Sequence, residues 1–274
     1  MTNKNLKLFA LSAAKFLLGL IVISPILLSF SMSLMNQNEF RSIPPSILPK
    51  DFLISNYTSV LQTFPVFRYL LNTVVMYLIV IISQVITCGA AAYGFSFFEF
   101  KGKKLLFMAV LSTMMIPAEA TIIANYLTIS KLRLTDTYIG RVFPYLTSAM
   151  GIFLLRQFFL TVPKEIKEAA TIDGCGEMRF ISQILLPIAK PVIASLAIYQ
   201  FISVYNQYFW ALLVTNTETM RPIQIGLSIL LSSETGDFGP VLAGSTLVLL
   251  PVLFMFVVGH KYLVKGMTDG AVKG

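Results

Sequence analysis

An all-α protein of six membrane-crossing helices is the fold class the sequence predicts, on three observations. Of 274 residues, 56% are hydrophobic and only 12% are charged, where an ordinary soluble domain is about 25% charged. Four runs free of Asp, Glu, Lys and Arg, at 16–38, 69–98, 191–217 and 238–260, are each long enough to cross about 30 Å of hydrocarbon as a helix. Two shorter runs, 105–118 and 142–155, bring the number to six if their flanking charges snorkel or face protein. So few charges cannot build a water-facing surface, and a chain this apolar does not stay disordered.

The elements follow in order. Lys4, Lys7 and Lys15 precede the first run as in a signal peptide, but the run is too long and lacks a small-x-small cleavage site, so a retained first span is expected. The connection at 39–66 carries Pro44, Pro45, Pro49 and Pro65, which suit extended or turn-rich chain. The run 69–98 returns across the membrane. The third run continues past Pro117 and Glu119 to Ser130, and the fourth is flanked by Arg141 and Arg156. The fifth and sixth runs complete the set, with Pro251 read as a kink whose freed backbone groups neighbours satisfy and His260 as an interfacial side chain. Polar, shorter connections are expected near 131–138 and 215–237. Residues 1–274 form one transmembrane domain in this scheme.

Charge sets the orientation. Of the 21 Lys and Arg residues, the side holding the termini takes fourteen: Lys4, Lys7, Lys15, Lys101, Lys103, Lys104, Arg156, Lys164, Lys167, Arg179, Lys190, Lys261, Lys265 and Lys273. Seven lie opposite, so the positive-inside rule puts both termini in the cytoplasm. The net charge of +8 reflects this asymmetry, and with no basic stripe interleaved with aromatics it does not indicate nucleic acid. Cys88 and Cys175 lack metal-ligand spacing and are read as reduced thiols; no metal site and no catalytic group is expected.

The connection of about 156–190 interrupts the apolar pattern. Within it, Thr161 is positioned to cap a helix with Pro163 in its first turn. Ile166, Ala169, Ala170 and Asp173 share one side, and Gly174 can end the helix in a left-handed conformation. Small Ala side chains allow close approach of a partner, while Lys164, Lys167 and Glu168 stay wet at the rim.

Glu168-Ala169-Ala170, three residues, Gly174, nine residues, Ile184, two residues and Pro187 together resemble the Glu-Ala-Ala loop of permease subunits of binding-protein-dependent ABC importers. The carbohydrate-type family, which includes maltose and glycerol 3-phosphate permeases, is the one it is similar to. Tyr69-Leu-Leu-Asn-Thr-Val, Ala91-Ala-Tyr-Gly-Phe, Met115-Ile-Pro117-Ala-Glu119, Gly151-Ile-Phe-Leu-Leu-Arg-Gln157 and Asn206-Gln-Tyr extend the resemblance over nearly the whole chain. Tyr205 and Ala211 depart from it, standing where Trp and Pro are common. The resemblance implies a type I importer permease fold in a prokaryotic cell membrane. The partners it implies are a second homologous permease, a cytoplasmic ABC ATPase dimer and an extracytoplasmic solute-binding protein, beside membrane lipid. Ile166, Glu168, Ala169, Ala170, Asp173 and Gly174 would couple to the ATPase. ATP would be bound by those partner subunits, and this chain would need no cofactor; it has no Gly-x-x-x-x-Gly-Lys-Ser/Thr loop.

The fifth run holds Gln200, Ser203, Asn206 and Gln207, polar groups that are costly against hydrocarbon. Gln200, Ser203 and Gln207 follow i, i+3 and i+7 with Asn206 beside them, so they are candidates to line the path of a small solute or, equally, to face the companion permease. The solute stays open between a sugar or oligosaccharide and glycerol 3-phosphate. Glu119 could serve an ion-coupled secondary transporter, but no second buried acid accompanies it, and an outer-end or paired carboxyl is the simpler expectation. A polytopic enzyme acting on lipid head groups would need clustered acids, His or Arg at one interface, which the sequence lacks.

Overall fold

The structure, a computed structural model, describes residues 3–44, 46–232 and 237–268. Pro45, Lys273 and the side chains of Lys4, His260, Lys261 and Lys265 lie outside the described part. In chain order the helices are α1 (Asn3–Met32), α2 (Gln37–Phe40), α3 (Ser55–Thr63), α4 (Val66–Phe97), α5 (Lys103–Ser112), α6 (Ala118–Lys131), α7 (Tyr138–Val142), α8 (Ala149–Phe159), α9 (Lys164–Ile172), α10 (Glu177–Phe180), α11 (Leu186–Ile188), α12 (Lys190–Tyr205), α13 (Phe209–Val214), α14 (Ile223–Ser232) and α15 (Phe238–Thr268). Among the described residues there is no strand.

By length and composition α1, α4 and α15 each suffice to cross a membrane. Three bent pairs bring the number up to six: α5 with α6 at 97°, α7 with α8 at 51°, and the Glu177–Ile188 stretch with α12 at 77°. The first bend has a local cause. Pro117 excludes its predecessor from helical geometry, and Ile116 is accordingly extended at φ −84°, ψ 115°. α15, by contrast, runs through Pro251 without interruption.

Three expectations need correction. The fifth run is not one helix: α12 ends at Tyr205 and α13 begins at Phe209, with the break at the polar Asn206-Gln207. The connection 215–237 contains apolar α14, entered directly after Pro222, a residue suited to helix starts. The proline-bearing 39–66 segment likewise holds α3, since Ser55–Thr63 contains none of its prolines.

Two compact units are distinguishable. One comprises Met1–Val66 and Gly226–Pro251. Here the buried Asn56 amide donates to Ser33 O at 2.9 Å and Met35 O at 3.0 Å, occupying carbonyls beyond the end of α1 that no helical N–H reaches. A Cβ at Gly239 would lie 2.5 Å from Asn56 Nδ2, so glycine is what lets α15 approach α3. Asn36 caps α2 by accepting from the N–H groups of Asn38 and Glu39.

The other unit comprises Phe67–Ile225 and Val252–Gly274. Its core packs Cys88, Tyr93, Leu155, Phe159, Ala170, Phe180, Leu185 and Leu196 together. Gly151 brings α8 onto α4, where a Cβ would meet Cys88 Sγ at 2.9 Å. At the opposite end of α4, Asn72 donates to Thr219 O at 2.8 Å and Arg221 O at 2.9 Å and accepts from Tyr138 Oη at 2.6 Å. Arg141, 0% exposed, donates to Met220 O at 2.7 Å and contacts Met76 Sδ. Both flanking arginines of the fourth span therefore face protein: Arg156 stacks 4.1 Å from the Phe107 ring and donates to Phe95 O at 3.3 Å.

Candidate functional site: a coupling segment and a polar cleft

The 156–190 segment forms the expected helix, with a different start. Thr161 does not cap it; its hydroxyl donates to Phe158 O at 2.7 Å, and Pro163 takes the cap position ahead of Lys164. Its fixed φ suits that position, and it has no N–H to satisfy. The other end is as the sequence implies. Gly174 sits at φ +73°, and the N–H of Cys175 reaches Ala170 O at 2.8 Å, closing a left-handed helix end.

The side shared by Ile166, Ala169, Ala170 and Asp173 divides. Ala170, 7% exposed, and Ile166 pack into the chain's own core with Phe159, Val162 and Phe180, whereas Glu168, Ala169, Asp173 and Gly174 are exposed. Ala170 is therefore not an outward contact. The burial of an apolar row against Phe180, several residues downstream, decides which edge of α9 turns inward. Outward instead stand Ile172 at 86% and Met178 at 80% exposure, on either side of Gly174. Neither belongs to the helix side that the sequence pattern marks, although an isoleucine next to Asp-Gly at a helix end is a signal for the first.

α9 is held against α4 through Lys167. Its ammonium lies 3.3 Å from Glu177 Oε1 and 5.0–5.4 Å from the ring centres of Tyr93, Phe97 and Phe98. Tyr93 Oη donates to the other Glu177 oxygen. A cavity of about 540 Å³ runs beside α9, lined by Phe97, Phe159, Lys164, Glu168 and Ile172 among others.

The second site is a cleft of about 360 Å³ at the broken helices. Glu119, Thr121 and Asn125 of α6, Tyr145, and Ser203, Asn206, Gln207, Tyr208 and Trp210 contribute to its wall. Three of the four solute-path candidates thus come together. Gln200 does not join them; it is 5% exposed in the interior, because spacing across 200–207 presumed a helix that stops at Tyr205. Gln207 Oε1 is buried without a hydrogen-bond partner, and Trp210 Nε1 donates to Arg141 O at 2.9 Å. Glu119, set apart in the sequence, shares this wall because Pro117 turns the chain just before it.

Bent apolar helix pairs, a helical segment between the fourth and fifth spans and a polar cleft at a helix break define a polytopic, all-helical membrane protein. Residues 49–269 match the binding-protein-dependent transport system inner membrane component family, and the chain belongs to that family of permease subunits. It is 35% identical over 262 residues to the sn-glycerol-3-phosphate transport system permease protein UgpE of Agrobacterium fabrum, covering 92% of this chain and 93% of that one. It is 30% identical over 268 residues to the arabinooligosaccharides transport system permease protein AraQ of Bacillus subtilis, covering 97% and 95%. A chain of a bacterial ABC transporter involved in alginate import superposes with a TM-score of 0.82 at 24% identity over 96% of this chain and 99% of that one, which shows the shared fold.

Proposed function

We propose that this chain is a permease subunit of an ATP-driven importer in a prokaryotic cell membrane. It pairs with a second, homologous permease and admits a sugar, oligosaccharide or glycerol 3-phosphate delivered by an extracytoplasmic solute-binding protein. Its 156–190 segment docks on a cytoplasmic ATPase dimer that binds and hydrolyses ATP, and both termini face the cytoplasm. The cleft at Ser203, Asn206 and Gln207 forms part of the solute path.

Support for the coupling role comes chiefly from one observation: a short helix fixed to the spans through Ile166, Lys167 and Ala170 leaves Ile172 bare at its far end, with Met178 of α10 bare just beyond the Gly174 turn. Burying a side chain of that size in a partner contributes about 1.5–3 kcal/mol, which corresponds to roughly one to two decades in affinity. Glu168 and Asp173 around it supply a polar rim.

The test is co-purification with the ATPase and measurement of receptor-stimulated hydrolysis. Ile172→Ser is expected to weaken association by roughly tenfold or more with the chain still inserted. Gly174→Val is expected to do so through the backbone, since nothing lies within 4 Å of its Cβ position while φ is +73°. Normal association and hydrolysis in both variants would remove the segment from the docking role.

A further inference from the structure

Apart from the α9 cavity and the cleft, a groove of about 930 Å³ lies where α5 begins, beside Arg156 of α8. Its head holds three cations, Lys103, Lys104 and Arg156, and one carboxylate, Glu99. Lys103 occupies that carboxylate at 2.9 Å. Neither Lys104 nor Arg156 has an ion-pair partner among the described residues. The Phe107 ring and the Nε bond to Phe95 O hold Arg156 in place, and its two Nη groups bond no protein group among the described residues. Lys101, exposed on the turn ahead of Gly102, adds a further positive charge nearby.

Away from this head the lining changes character. Leu105, Met108 and Leu111 form a strip along α5, with Leu105 and Met108 exposed, and at a helical rise of 1.5 Å per residue it extends about 10 Å from Lys104. Because α5 opens the third span, the strip lies at hydrocarbon depth and the cations at headgroup level, where long basic side chains settle. A water-soluble partner would neutralise the cations but leave the strip bare. An apolar span of another subunit would cover the strip but leave Lys104 and Arg156 desolvated and unpaired. One amphiphile with an anionic head satisfies both halves. We infer that the groove is a binding site for an anionic phospholipid, its phosphodiester accepting from Arg156 Nη and Lys104 Nζ and an acyl chain lying along Leu105, Met108 and Leu111. In the orientation given above this is a lipid of the cytoplasmic leaflet, whose anionic headgroups suit basic pockets between helices. The site is separate from solute transport and is measured without solute or ATPase.

The full-length chain, purified in detergent, is titrated with phosphatidylglycerol and with phosphatidylcholine of the same acyl chains, and bound lipid is counted by native mass spectrometry. Phosphatidylglycerol is expected to bind roughly tenfold tighter or more. Lys104→Gln is expected to weaken it about fivefold, the worth of one basic residue at a headgroup, with phosphatidylcholine unaffected. Lys190→Gln, the same loss of charge at an exposed residue outside the groove, should change neither. Both lysines are exposed, so neither variant removes core packing. Met108→Trp, which fills the apolar strip, should weaken both lipids together. Equal affinity for the two lipids, or equal effects of Lys104→Gln and Lys190→Gln, overturns the inference. So does displacement of phosphatidylglycerol by inorganic phosphate, which would reduce the site to an anion contact, and so does its release when the companion permease binds, which would assign the groove to that subunit.

Discussion

Lys167 and Glu177 meet at 3.3 Å across the left-handed turn at Gly174, and the same ammonium faces the rings of Tyr93, Phe97 and Phe98 at the end of α4. One side chain thereby joins α9, the start of α10 and a long membrane-crossing helix. Glu177 is half exposed, so the ion pair contributes at most about 1 kcal/mol, and the aromatic contacts add roughly as much.

Lys167→Met is therefore expected to lower chain stability only by about 1–2 kcal/mol, while loosening the contact between α9 and α4 on which the proposed coupling relies. In reconstituted transporter, ATP hydrolysis should persist and solute uptake per ATP should fall. The check is the ratio of the two rates beside a thermal unfolding curve; unchanged coupling with a normal melting temperature would contradict the role given to Lys167.

Arg141 and Trp210 form a second joint, behind the cleft wall to which Trp210 contributes. The arginine is buried with its backbone carbonyl accepting from the indole and its guanidinium donating to Met220 O. Arg141→Ala leaves that carbonyl of Met220 unpaired and opens a cavity, a combination expected to cost roughly 3 kcal/mol or more. Thermal unfolding followed through Trp210 emission should show the loss, accompanied by a red-shifted folded-state spectrum as the indole becomes wetter.

Asp136, in the connection after α6, accepts backbone N–H bonds from Asn216 and Thr217, both at 3.0 Å. Partial burial pushes its carboxyl up, but the Thr217 and Asn216 bonds and the nearby Arg141 charge outweigh burial and hold it below the ordinary aspartate value. A group depressed in the folded state contributes stability that is complete above its unfolded pKa, about 3.9, and disappears as pH falls through the folded pKa. Unfolding midpoints measured from pH 6 down to pH 3 should therefore fall less steeply below about pH 4 in Asp136→Asn than in the parent. Parallel curves would show that the carboxylate does not hold this connection.

What could be read from sequence was mainly what acts through local sterics. Pro117 announces a break because its ring excludes a helical predecessor, and Gly174 announces a helix end because few other residues adopt positive φ there. The Glu-Ala-Ala spacing carries the resemblance to the family that residues 49–269 match. The outward edge of α9 was hidden, since Ile166 and Ala170 turn inward only because Phe180 and Phe159 complete a core around them. The cleft was legible in part: polar groups in an apolar run signalled a polar environment, but Gln200 was grouped with Gln207 by a helical period that the break at Asn206 cancels. Apolar α14 is not legible as a separate element because ten residues are too few to stand out as a span.

Accessibility of a cysteine at position 172 tests the coupling account most directly. With Cys88 and Cys175, both free thiols, replaced by serine or alanine, Ile172→Cys is exposed to a membrane-impermeant maleimide in right-side-out and in inside-out vesicles. Labelling is expected only in inside-out vesicles stripped of the ATPase, with protection when the ATPase is bound again. Labelling in right-side-out vesicles, or labelling unaffected by the ATPase, would contradict the account.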